Sequence, residues 1–396
     1  MGNLILGFQT VFLPLNLILV IIGSMSGIIF GALPGISSAM GCVLLMTFTY
    51  KMGPISAMLL LTSAFCGSTY GGSITSILFA APGTPSNVMT VLDGYPLKKQ
   101  GRGGEALGIA ITCSVIGGLF SVLMLFLIAL PLSKIAMKFG PPEFLALAIL
   151  GLTAVSSFGS KSQLKALLSC CIGLILATIG ADLITGIERF TFDSSLLING
   201  VHFIPVMIGA FAVSEVFNQI SELTKTEALE VKQVKVKLMS WVTFLKMKWL
   251  ILKSAILGVL VGVLPGTGGT IASIIAYSEA VRTSNHPERF GKGAIEGIIA
   301  AETANNASTG GALVPTITLG IPGSGTTAVM LGAFIVHGLR PGPLLIPTQP
   351  KLFYSILVGM FIANILLFFG GYIGIKMITQ ISNFPYAIQG TIILLL

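Results

Sequence analysis

Apolar stretches of about twenty residues recur along this whole 396-residue chain, each long enough for a helix to cross the hydrocarbon of a bilayer. The solvent for most of the surface must therefore be lipid. Composition agrees: 54% of residues are hydrophobic and only 9% are charged, with a mean hydropathy of +0.95, whereas a soluble domain carries roughly a quarter charged residues. This excludes a soluble globular enzyme and predicts an all-α polytopic membrane protein.

The formal net charge of +8 is largely local, because seven of the lysines fall between Lys225 and Lys253. Basic residues without interleaved aromatics read as a cytoplasmic loop, not as a nucleic-acid face. Cys42, Cys66, Cys113, Cys170 and Cys171 lie in apolar segments without metal-ligand spacing and are expected to be buried small hydrophobes. The N-terminal run lacks a basic region and a small-residue cleavage site, so it reads as a first membrane segment and not a removed signal peptide.

Apolar segments cover roughly 11–33, 38–80 (broken near Gly53-Pro54), 106–130, 143–158, 164–187 and 196–217, then 250–281, 294–321, 326–339, 352–380 and 384–396. Three units follow: a first transmembrane repeat over 1–218, a charged cytoplasmic linker over 219–249 and a second repeat over 250–396. The repeats are visible as sequence. Gly27-Ile-Ile-Phe-Gly31-Ala-Leu-Pro34-Gly35 aligns without a gap on Gly258-Val-Leu-Val-Gly262-Val-Leu-Pro265-Gly266, with five of nine positions identical. Gly71-Gly72 followed by Pro82-Gly83-Thr84 matches Gly310-Gly311 followed by Pro322-Gly323-Ser324, and Asp93-Gly94 echoes His337-Gly338. Duplicated halves around a midplane site are a common plan of secondary transporters. The second copy is incomplete, since nothing in it matches the segments at 164–187 and 196–217. Whether the halves are inverted depends on whether 38–80 is one span, two spans or a re-entrant hairpin, which the sequence leaves open.

Candidate site residues come from the interruptions. At Pro34-Gly35 and Pro265-Gly266, proline removes a donor and glycine permits positive φ, so apolar helices stop while still near membrane depth. Irregular backbone at that depth is tolerated where it is buried in protein or lines a wet cavity; the other reading is a loop at the membrane surface. The runs Pro82-Gly83-Thr84-Pro85-Ser86-Asn87 and Pro322-Gly323-Ser324-Gly325-Thr326, like Pro265-Gly266-Thr267-Gly268, supply hydroxyls and free amides. Helix N-termini beginning after such turns would point N–H groups at an anion such as a carboxylate, or the turns are punctuation only. The polar stretch Glu302 to Gly311 holds Asn305, Asn306, Ser308 and Thr309, oxygen ligands suited to a hard cation such as Na⁺, although asparagine also serves as packing glue between membrane helices. The Gly23-Gly27-Gly31 and Gly258-Gly262-Gly266 ridges are read as faces for close helix approach. Asp182 and Glu215 are intramembrane or interfacial acids. His202, His286 and His337 are too scattered for a metal-protease pair, and no P-loop occurs, so transport would run on an ion gradient and not on ATP. No cofactor is expected beyond Na⁺ or H⁺ as coupling ion.

GALPGISSAM and GVLPGTGGTI, AAPGTPSNVMTVLDGYPLKKQG, and AETANNASTGGALVPTITLGIPGSGTTAVMLGAFIVHGLRPGPLL, in that order, resemble TctA, the large membrane subunit of the bacterial tripartite tricarboxylate transporters. The resemblance runs from near Met1 to the end of the chain. It implies a multi-pass, gradient-driven secondary carrier of the bacterial inner membrane, not an enzyme, taking up citrate-like di- and tricarboxylates. It also implies two partners, a small TctB-like membrane subunit and a periplasmic, TctC-like solute-binding protein. By similarity to related carriers, an inverted repeat, two re-entrant hairpins and an elevator-like movement are expected. Family members usually continue past the position of Leu396, which would make this chain a truncated form; a carrier for another small anion, or a non-transporting membrane scaffold, are the alternative readings.

Overall fold

The computed structural model describes residues 2–33, 36–158, 162–181, 187–194, 196–198, 200–201, 205–206, 209–210 and 235–381. Apart from one two-residue antiparallel pairing, Gly180 with Arg189 and Ala181 with Glu188, the regular structure described is helical. The first half runs α1 (Gly2–Val11), α2 (Pro14–Ala32), α3 (Ser38–Thr49), α4 (Pro54–Phe79), α5 (Val88–Leu97), α6 (Gly103–Ala136), α7 (Pro141–Phe158) and α8 (Gln163–Ala177). The second runs α9 (Trp241–Val263), α10 (Gly268–Thr283), α11 (Ile295–Leu319), α12 (Gly325–Val336), the single turn α13 (Leu345–Thr348) and α14 (Pro350–Ile381). Among the described residues, three stretches are long and apolar enough to cross a membrane: Pro14–Ala32, Pro85–Ala136 and Pro350–Ile375.

The long apolar segment at 38–80 is two helices. Pro54, with its fixed φ and no N–H to lose, opens α4 at the first helical position. Between α2 and α3, Ser37 accepts from the Met40 N–H at 3.2 Å and caps the new helix. The expected Pro34 and Gly35 lie outside the described residues, as do Asp182, His202 and Glu215, nearly all of 202–234, and 384–396. α9 starts at Trp241, ahead of the apolar run at 250, because Ser240 accepts from Thr243 N–H at 3.1 Å and caps it there.

At the centre stand α4 and α11, buried on every side from Ala57 to Leu78 and from Gly297 to Thr318. An ordinary amphipathic helix would expose one face; these two expose almost nothing, because neighbours wrap them closely. Glycine makes that possible. Gly23, Gly27 and Gly31 of α2 lie against the carbonyls of Leu60, Ala64 and Ser68 on α4, while Gly67 and Gly71 of α4 return the contact on Ser24 and Ile28. Gly258 and Gly262 of α9 lie in the same way on Ala304 and Ser308 of α11. Both ridges therefore serve close packing, except that Gly266, expected to end the second ridge, sits beyond the helix in a turn at φ +80°.

The outer helices carry the lipid-facing surface, with Leu145, Ile149, Leu164, Leu168 and Ile172 of the α7–α8 hairpin all exposed. Cysteines 42, 66 and 113 are buried as expected. Cys171 is exposed and Cys170 half-buried, since α7 and α8 pack on each other and leave their outer faces uncovered.

Candidate functional site

The helix breaks meet. A cavity of about 560 Å³ lies between the halves, walled by Phe65 and Thr69 of α4 and by Asn305, Ser308, Thr309 and Ala312 of α11. Four helix beginnings close it: Ser37 and Ser38 of α3, Thr84-Pro85-Ser86 ahead of α5, Gly266 to Thr270 of α10, and Ser324 to Thr326 of α12. The ends come together because α3 packs on α12, and α10 on the turn at Pro85–Asn87.

Local chemistry fixes each end. Ser324 and Thr327 form a reciprocal capping box, Thr327 N–H donating to Ser324 Oγ at 3.2 Å and Ser324 N–H to Thr327 Oγ1 at 2.9 Å. Ser273 on α10 donates to the Ser86 carbonyl at 2.9 Å, and Gly268 N–H donates to the Gly323 carbonyl at 3.2 Å. Positive φ at Gly266 (80°) and Gly268 (57°) lets the chain turn between α9 and α10 without a Cβ clash.

The sequence candidates divide in space. Thr84, Pro85, Ser86, Gly266, Thr267, Gly268, Asn305, Ser308, Thr309, Pro322, Ser324, Gly325 and Thr326 all line the cavity. Pro82, Gly83, Pro265 and Gly323 shape the turns instead; Gly83 is pressed against Gly31 and Thr75, and Gly323 against Ala312. Asn87 and Asn306 face away from the cavity. Asn87 donates to Ser73 Oγ at 2.7 Å and to the Thr69 carbonyl at 3.1 Å, and Asn306 donates to Ser114 Oγ at 2.8 Å. Asn305 is the buried amide at the cavity itself. Its oxygen has no hydrogen-bond partner and faces Gly269, where a Cβ would also come 3.1 Å from Ser308 Oγ and 3.2 Å from Ser86 Cβ.

Three groups received no site role from the sequence. Ser37 and Ser38 are cavity residues signalled only by their place after Pro34-Gly35. Asp93, seen as an echo of His337, is fully buried and accepts from Tyr277 Oη at 2.9 Å and from the N–H groups of Gly293 and Ala294 at 2.9 and 2.8 Å. It thus ties α5 to the turn before α11 and to α10, while His337 Nε2 meets Thr49 Oγ1 at 3.1 Å and ties the end of α12 to the end of α3. The third is Glu302, an acid in the middle of α11 with no exposed surface.

A polytopic helical membrane protein in which the beginnings of several helices meet at one cavity between the two halves has the general plan of a membrane carrier. The family model of the tripartite tricarboxylate transporter TctA family matches residues 17–396, and the chain belongs to that family of membrane transporters. An uncharacterized 52.8 kDa protein in the TAR-I ttuC' 3' region of Agrobacterium vitis is 40% identical over 366 residues, covering 92% of this chain and 73% of that protein. A second uncharacterized protein, from the TAR-II ttuC' 3' region of the same organism, is 47% identical over 110 residues, 28% of this chain and 46% of that protein. No solved structure matches the chain.

Proposed function

We propose that this chain is the large membrane subunit of a binding-protein-dependent carrier that takes up citrate-like di- and tricarboxylates across the bacterial inner membrane by cation symport. The single observation behind this reading is the convergence of four helix N-termini on one cavity that, among the described residues, no lysine or arginine lines. At about half a positive charge per helix end, four ends offer roughly two charges to an anion. That suits a carboxylate without placing a charged side chain in the cavity. A cavity of about 560 Å³ also falls within the size range of small-molecule sites.

In this reading Thr84 to Ser86, Gly266 to Gly268 and Ser324 to Thr326 hold the substrate carboxylates, with the flanking Pro82, Gly83, Pro265, Pro322 and Gly323 fixing the backbone. Asn305 and Ser308, with the Thr69 carbonyl, offer oxygens to Na⁺. The halves 1–218 and 250–396 are related as inverted repeats, and alternating exposure of the cavity moves substrate and cation together. A small TctB-like subunit and a periplasmic TctC-like binding protein complete the system.

The test is uptake of labelled citrate into proteoliposomes holding this chain, its small membrane partner and the cognate binding protein. Uptake driven by an inward Na⁺ gradient, and abolished when the gradient is collapsed, is the expected result. Uptake of an inorganic or monovalent anion in preference to citrate would overturn the substrate assignment, and uptake indifferent to any cation gradient would overturn symport.

A further inference from the structure

Glu302 has a setting that neither close packing nor substrate contact explains. The carboxylate lies on α11, fully buried, and every hydrogen-bond partner it has comes from the other half. Ser73 of α4 donates to Oε2 at 2.6 Å, Ser114 of α6 to Oε2 at 3.0 Å, Asn87 to Oε1 at 3.5 Å, and Thr90 of α5 also donates to Oε1. All four donors are neutral. A buried carboxylate held by hydroxyls and an amide, without a cation, is costly to keep as an anion.

A chain of hydrogen bonds links that carboxylate to the cavity wall. Ser73 Oγ, bonded to Glu302, accepts from Asn87 Nδ2 at 2.7 Å; Asn87 Oδ1 accepts from Thr84 Oγ1; and Thr84 Oγ1 lies 2.9 Å from Ser86 Oγ. Thr84 and Ser86 both line the cavity. On the other side, Asn305, the cavity amide, lies within one turn of Glu302 along α11.

We propose that Glu302 is a proton-binding site coupled to the filling of the cavity by a carboxylate anion. The inference rests on the reading of the cavity as an anion site. With Glu302 ionised, its charge opposes an anion one helical turn away in a low-dielectric interior. With a proton on Oε, that repulsion is gone, so anion and proton favour each other by linkage. The proton comes from the aqueous side to which the cavity is open and leaves to the side on which the anion is released, giving net symport of one proton per cycle in addition to any Na⁺.

Neighbouring ionisable groups do not take this role. Tyr70 of α4 and Cys113 of α6 are fully buried, and neither is a hydrogen-bond partner of Glu302. Asp93 of α5 is engaged with Tyr277 and two backbone N–H groups. Lys253 of α9 and Arg282 of α10 both pair with Glu279, and Lys246 and Lys248 of α9 are exposed.

The test is infrared difference spectroscopy on the reconstituted chain, reading the C=O stretch of a protonated carboxyl. Two perturbations are used separately, a pH step through the neutral range and addition of citrate at fixed pH. A band that grows on acidification and on citrate addition, is lost in Glu302→Gln and persists at a shifted frequency in Glu302→Asp is the expected result. Elution of each variant as a single species in detergent checks folding, and Glu302→Asp carries the test alone if Glu302→Gln does not fold, since an acid other than Glu302 would leave the band unshifted. No titrating band in the wild type, or a band that survives Glu302→Gln, overturns the proton site. Citrate binding without the band overturns the coupling alone. A pH-dependent band with no citrate binding overturns the anion-site reading and, with it, the coupling, while the proton site stands.

Discussion

Asp93 offers the most direct test of how the two halves are held. Its buried carboxylate accepts from Tyr277 Oη and from the N–H groups of Gly293 and Ala294, all at 2.8–2.9 Å, and so caps the start of α11 from a distant part of the chain. Hydrogen bonds to a charged group are worth roughly 1.5–3 kcal/mol each, which sums to about 4.5–9 kcal/mol for three. The Gly293 N–H is only part-buried and recovers water when the carboxylate is removed. Asp93→Ala is therefore expected to cost roughly 3–6 kcal/mol, and Asp93→Asn, which keeps an acceptor but not the charge, about 1–3 kcal/mol. The assay is unfolding in mixed micelles titrated with dodecyl sulfate and followed by circular dichroism. A cycle with Tyr277→Phe isolates one bond, with an expected coupling of about 1.5–3 kcal/mol. A coupling below about 0.5 kcal/mol, or an Asp93→Ala protein as stable as the wild type, would refute the reasoning.

Three further perturbations probe packing and the cavity. Gly27→Leu forces a side chain into the Ala64 backbone and is expected to abolish the folded monodisperse species, whereas Ile22→Leu on the exposed part of the same helix leaves it intact. Gly269→Val places carbon beside Asn305 Oδ1 and Ser308 Oγ and should weaken citrate binding by at least about tenfold, or 1.4 kcal/mol, in calorimetry; unchanged affinity would put the substrate elsewhere. Asn305→Ala should remove the stabilisation of the protein by Na⁺ in thermal unfolding, and an unchanged Na⁺ response would take Asn305 out of the cation site.

How much of this was readable along the chain depends on the range of the cause. A Pro-Gly pair stops a helix by local sterics, so Pro265-Gly266 and Pro322-Gly323 announce breaks wherever the rest of the protein lies. The serine caps at Ser37, Ser240 and Ser324 are equally local, although Ser37 was overshadowed by the proline before it. The Gly-x-x-x-Gly ridges at Gly23 and Gly258 were legible because a run of missing side chains has one main use in a membrane helix. Asn306 was not distinguishable from Asn305 in sequence, because adjacent residues on a helix point about 100° apart and only the neighbours decide which of them meets the cavity.

Sequence by itself determined that this chain lives in lipid, that it is helical, and that its helices break at matching motifs, since hydrophobicity and backbone stereochemistry act within a few residues. Tertiary structure alone decided that four of the resulting helix ends share one cavity. It also decided that the acid at Glu302 meets Ser73, Thr90 and Ser114, partners 229, 212 and 188 residues away. Burial and electrostatic environment are properties of what surrounds a group, and in this protein those surroundings are assembled by packing one half of the chain against the other.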